Sequence, residues 1–113
     1  MPYIDSKITK KLTDEKKETI KAELGKAITA LNKPESFLMV GIADGYDLWF
    51  AGNKLESGAY IEVSLLGDAA SDLYDKMTGI ICDIMEKELD IPKNNVYVTY
   101  HPISNWGWNG RNF

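Results

Sequence analysis

The chain predicts an α+β fold in which a β-α-β-β unit occurs twice, giving one mixed sheet with a four-stranded core and two helices on one face. Three observations carry this prediction. Apolar residues alternate at period two in segments 2–8 and 59–66, they recur at helical spacing in 14–31 and again after Asp68, and turn residues separate the rest. The 113 residues fit one domain spanning 1–113. A chain of that size buries roughly two thirds of its unfolded surface.

Pro2 to Ile8 places Ile4, Ser6 and Ile8 on one face and reads as the first strand. Thr13 is a good N-cap, and Asp14 and Glu15 follow where negative charge suits the first helical turn. Ile20, Leu24, Ala27, Ile28 and Leu31 form the buried stripe of a helix over about 14–31, and Asn32 with Lys33-Pro34 ends it. Gly25 inside that helix costs about 1 kcal/mol relative to Ala, which points to close packing.

Phe37 to Ile42 and Asp47 to Phe50 read as two strands around the turn Asp44-Gly45, with a loop bracketed by Gly52-Asn53 and Ser57-Gly58. In the long strand Ala59 to Leu66, Tyr60, Glu62 and Ser64 alternate with Ile61, Val63 and Leu65. Asp68 is the expected cap of a second helix with Leu73, Met77, Ile80, Ile81 and Ile84 as its buried stripe and Cys82 and Met85 beside it. Val96 to Tyr100 forms a further strand, and the Trp-rich tail leaves room for a short last one. The helices cover one face, while Ile4, Ile8, Leu38 and Val40 compete for one layer with Phe37 and Met39 opposite. The open face is therefore expected to be apolar and to need partner chains.

A net charge of -4 with thinly spread cations argues against nucleic acid as a partner. Arg111 is the sole arginine, which disfavours substrates that need a bidentate dicarboxylate clamp. Cys82 stands alone, so no internal disulfide, two-thiol redox motif or Cys-rich zinc site is expected. Asp5, Lys7 and Lys10 interrupt the amino-terminal segment, unlike a signal peptide, and no apolar run approaches the ~20 residues of a membrane span. His101, next to Pro102, has no Ser or Cys at a suggestive spacing and reads as a loop residue. Glu86, Glu88 and Asp90 read as a solvated helix end rather than a metal site.

Pro2 is either a proline that merely rigidifies the amino terminus or a candidate general base. Removing Met1 exposes a secondary amine, and an α-amino group titrates at roughly 7.7 to 8.0 before burial or a neighbouring cation lowers it. That is the range of a good general base. An amide nitrogen, as in a chain that keeps Met1, cannot act so. The small second residue favours removal.

Met1-Pro2 leading into a strand, Asn32-Lys33-Pro34, Phe50-Ala51-Gly52-Asn53, Tyr60-Ile61-Glu62-Val63, Ile91-Pro92 with Val96-Tyr97-Val98, and Trp106-Gly107-Trp108-Asn109-Gly110 with Phe113 stand in one order along the chain. In these residues, over essentially its whole length, the sequence resembles the macrophage migration inhibitory factor family of the tautomerase superfamily. The resemblance implies a homotrimer whose sheets line a central channel and whose final strand extends a neighbour's sheet. It implies a keto-enol tautomerase acting on phenylpyruvate-like 2-oxo acids, with Pro2 as base and then acid and no metal or organic cofactor.

By the same resemblance Lys33 holds the substrate carboxylate and keeps Pro2 unprotonated. Tyr97 reaches into the neighbouring subunit's pocket, and Tyr3, Phe37, Leu66, Trp106, Trp108 and Phe113 form the pocket's apolar walls. Leu65 rivals Leu66 because loop 53–58 differs by one residue. Thr99 stands where the best-known member has Asn, and its hydroxyl retains one donor. Gly58 and Ile61 lie where that member has a Cys-x-x-Cys pair, so a thiol-oxidoreductase role is unsupported. Two rival functions are a cytokine-like immunomodulatory protein with vestigial or secondary tautomerase activity, and muconate isomerisation or dehalogenation, disfavoured by the scarcity of Arg. The expected location is cytoplasmic, with secretion without a signal peptide and a receptor partner under the first rival.

Overall fold

A computed structural model describes residues 1–113. Its elements are β1 (Pro2–Ile8), α1 (Asp14–Ala27), β2 (Met39–Ala43), β3 (Trp49–Phe50), β4 (Asn53–Lys54), β5 (Ala59–Leu66), α2 (Ser71–Leu89), β6 (Val96–Ile103), β7 (Gly107–Trp108) and β8 (Arg111–Asn112). The main sheet has the order β2-β1-β5-β6, with β1 parallel to β2, β5 parallel to β6 and the central pair antiparallel. The unit is thus strand, helix, parallel strand and hairpin, written twice.

The two halves are related by a pseudo-twofold between β1 and β5. At one end of their ladder the Thr9 amide donates to the Gly58 carbonyl at 3.1 Å, and at the other the Leu66 amide donates to Met1 at 2.9 Å. These are the same bond in the two halves. Pro2, opening β1, corresponds to Ala59, opening β5.

Alternation dictates the core. Ile4 and Ile8 of β1, Ile61, Val63 and Leu65 of β5, Ile20 and Leu24 of α1, and Met77, Ile81 and Met85 of α2 are fully buried in one cluster. Ser6, the buried polar residue of the same β1 face, has no partner for its hydroxyl. Cys82 and Met85, read as flanking the α2 stripe, lie inside it, whereas Leu73 and Ile80 pack at its margin. No helix is long and apolar enough to cross a membrane.

Several local expectations are corrected. The Thr13 hydroxyl does cap α1, accepting from the Lys16 amide at 3.1 Å, but the α-helix ends at Ala27 and Ile28–Leu31 tighten into a 3-10 turn before left-handed Asn32. Gly25 is buried, and a Cβ there would overlap the Glu35 carboxylate. Glu35–Phe37 form a 3-10 turn, so β2 starts at Met39, and Trp49–Phe50 pair with Asn53–Lys54 rather than with the main sheet. Ala70, not Asp68, precedes α2. Asp68 instead accepts from the Ala69 amide at 2.7 Å and the Tyr74 hydroxyl at 2.9 Å, closing the turn before the helix. β6 runs on to Ile103, which a sheet edge permits because Pro102 need not donate there. His101 therefore sits on a strand.

The largest correction concerns the helix-free face. It carries Asp5, Lys7, Glu62, Ser64, Thr99 and His101 at its centre, tied by Lys7 Nζ to Asp5 at 2.7 Å and to Glu62 at 3.4 Å. This face is polar. Ile4 and Ile8 point to the helices, and Leu38 and Val40 pack at the core's edge. Apolar exposure is concentrated instead at the sheet's ends and the hairpins, in Phe37, Met39, Trp49, Tyr97, Trp108 and Phe113.

Candidate active site

Pro2 is buried at the start of β1, in register with Leu65 of β5. It lies in a cleft of about 650 Å³ lined by Met1, Tyr3, Phe37, Met39, Ser64, Ile103, Trp106 and Trp108, among others. Trp108 meets Phe37 edge-on at 5.7 Å between ring centroids and stacks on Phe113 at 6.3 Å. Phe113 itself lines an adjoining hollow with Trp108 and Arg111. Tyr3 occupies its place because Gly41 leaves room: a Cβ at Gly41 would stand 2.6 Å from the phenol oxygen.

Lys33 follows the left-handed Asn32 and reaches across to β5, where Nζ donates to the Leu66 carbonyl at 3.2 Å. The same residue's amide donates to Met1. Leu65 is fully buried and Leu66 is partly exposed on the other face, so Leu66 is the residue whose backbone lies between Lys33 and the chain start. The amino group, here that of Met1, has its pKa pulled below the ordinary value near 8.0, first by burial and then by the Lys33 ammonium.

Tyr97 and Thr99 are elsewhere. They line a second cleft of about 260 Å³ with Trp49, Phe50, Leu55, Ala59, Tyr60 and Asn95. Phe50 and Tyr97 are 5.5 Å apart between ring centroids. This cleft opens at Ala59, the pseudo-twofold counterpart of Pro2. One chain therefore brings Pro2, Tyr3, Phe37, Trp106 and Trp108 together, holds Lys33 and Leu66 beside the chain start, and keeps Tyr97 and Thr99 apart from them. Sequence reading missed Met39, Ser64 and Ile103. Ser64 is legible from its alternation with Tyr60 and Glu62, whereas Ile103 lies past Tyr100, where the expected strand ends.

A buried proline opening the first strand of a doubled β-α-β-hairpin unit, set in an aromatic cleft, defines a domain of the tautomerase superfamily. A model of the family described as macrophage migration inhibitory factor (MIF) matches residues 1–113, and the chain belongs to that family. Its fold is shared with the crystal structure of Leishmania major MIF2, at 32% identity and a TM-score of 0.93 over 100% of this chain and 97% of that one. A Toxoplasma gondii macrophage migration inhibitory factor is 26% identical with a TM-score of 0.90, over 98% and 99% of the two chains. The macrophage migration inhibitory factor of Xenopus laevis is 29% identical over 99 residues, 85% of each chain.

Proposed function

We propose that the protein is a homotrimeric keto-enol tautomerase acting on phenylpyruvate-like 2-oxo acids, with Pro2 as its base. The observation that carries this reading is the arrangement around Leu66. With Met1 gone, the Pro2 nitrogen becomes a secondary amine, the Leu66 amide loses its acceptor, and the Lys33 ammonium stands on the other side of the same residue. A carboxylate or ketone oxygen entering the aromatic cleft replaces the Met1 carbonyl as partner of the Leu66 amide, and Lys33 supplies the countercharge.

Burial and Lys33 both disfavour the charged form of an amine at this chain start, and as the free base Pro2 accepts a proton from the carbon next to the ketone. The electron pair of that C–H bond forms the enol C=C bond, the C=O π pair moves onto the ketone oxygen, and that oxygen takes the proton from the proline ammonium, which restores the free amine. In the other direction the amine takes the enol O–H proton and the ammonium gives it to carbon. A flat aryl group fits between Tyr3, Phe37, Trp106 and Trp108.

The trimer follows from the divided site. Tyr97 and Thr99 lie in a cleft that cannot close on Pro2 of the same chain, both sheet edges, β2 and β6, are unpaired, and exposed aromatics flank each. A neighbouring copy joins the two clefts and pairs the edges with the hairpin strands. The test is enolisation of phenylpyruvate by protein beginning at Pro2. Activity that falls strongly in Pro2→Gly supports the reading, and none in the wild type refutes it.

A cytokine-like role is the second reading, favoured by the relatives that carry the name macrophage migration inhibitory factor. Receptor capture that survives Pro2→Gly separates it from catalysis.

A further inference from the structure

Across the helix-free face runs a chain of hydrogen bonds that the proposed reaction does not use. Thr99 Oγ1 lies 3.1 Å from the Tyr60 hydroxyl and 2.9 Å from His101 Nε2. The same Nε2 is 3.6 Å from Glu62 Oε2, and the other Glu62 oxygen accepts from Lys7 Nζ at 3.4 Å. His101 is the sole histidine, half-exposed, with no helix over it. The groups facing its ring are Glu62 and the register partner Ser64 from β5 and, one strand further, Lys7 and Asp5 of β1.

We propose that His101 is a positioning residue that sets the direction of the Thr99 hydrogen bonds and so decides whether Thr99 offers a proton or a lone pair to the second cleft. The proposal rests on the reading that this cleft completes the substrate site. A hydroxyl has one proton to give. When Nε2 is bare it accepts that proton, Tyr60 donates to Thr99 Oγ1, and the cleft meets an acceptor. When Nε2 carries hydrogen it donates to Thr99 Oγ1, and the Thr99 proton is free for a ligand oxygen.

Glu62, on the same nitrogen, favours the second state, while Lys7 draws on the other Glu62 oxygen and moderates that pull. The second state suits a ketone or carboxylate, the oxygen-rich groups of a 2-oxo acid. Loss of the Nε2 hydrogen bond to Thr99 lowers substrate affinity without touching Pro2.

The experiment has a spectroscopic arm and a kinetic one. Nitrogen-15 NMR of the lone imidazole in Thr99→Val should move the Nε2 resonance more than Nδ1. At a single pH, His101→Phe should raise KM for phenylpyruvate about three- to tenfold over the wild type, the size of one hydrogen bond. His101→Gln, whose amide can still donate to Thr99, should recover most of that loss, and the kcat limb that reports Pro2 should stay in place in both variants. An Nε2 signal indifferent to Thr99→Val overturns the relay. A KM in His101→Phe equal to that of the wild type overturns its role in binding. A wild type that neither turns over nor binds phenylpyruvate refutes the tautomerase reading instead, and the nitrogen shifts then decide the relay by themselves.

Discussion

The Leu66 amide donates to the Met1 carbonyl at 2.9 Å while Lys33 Nζ donates to the Leu66 carbonyl at 3.2 Å, so one residue links the chain start to the Lys33 ammonium. Loss of Met1 leaves the Leu66 backbone donor and the Lys33 ammonium near the Pro2 amine.

Lys33→Ala should weaken 2-oxo acids more than their esters and raise the Pro2 pKa. Burial is the first cause of the lowered amino-terminal pKa and Lys33 the second, so the basic form should appear at higher pH in the variant without reverting fully. Profiles of kcat/KM against pH for acid and ester check both effects.

The divided site predicts complementation between copies. Homotrimers of Pro2→Gly and of Tyr97→Ala should each be weak. Trimers reassembled from an equal mixture should regain activity at on the order of one quarter of the sites, since each needs an intact Pro2 from one copy and an intact Tyr97 from a given neighbour. Activity no greater than the mean of the parents contradicts a shared site. Light scattering should give a trimer mass at micromolar protein, with unfolding that depends on concentration.

Asp44 should contribute to stability against acid. Its carboxylate accepts the Leu12 amide at 2.8 Å and lies 3.6 Å from Lys17 Nζ, and chiefly the former, with the cation's help, holds its pKa below the ordinary value near 3.8. A depressed carboxylate stabilises the fold above its unfolded pKa and loses that contribution as pH falls through the folded one. Asp44→Ala should therefore lower the melting temperature at neutral pH, and the gap to wild type should narrow in melts below about pH 3.

Much of this was legible in the chain because burial leaves period. Ile4, Ser6 and Ile8, and Ile61, Val63 and Leu65, alternate because one face of the sheet packs on helices, and the α1 stripe and its Thr13 cap follow equally local rules. The same alternation held Tyr3, Asp5 and Lys7 opposite Ser64, Glu62 and Tyr60, so the polar nature of the open face was also written there. It was misjudged because Phe37 and Leu38 were given to a strand that starts two residues later. The hairpins are two residues per strand, too short for any period. That Tyr97 stands apart from Pro2 is a matter of topology, since only the sheet order places them in different clefts.

If the free amine of Pro2 is the base, a blocked amino terminus is inactive. Phenylpyruvate enolisation should be compared between protein shown by intact mass to begin at Pro2 and protein carrying Met1 or a longer extension, at equal trimer concentration. Activity is expected in the first and its abolition in the others. Equal activity in the extended protein would remove Pro2 from the mechanism.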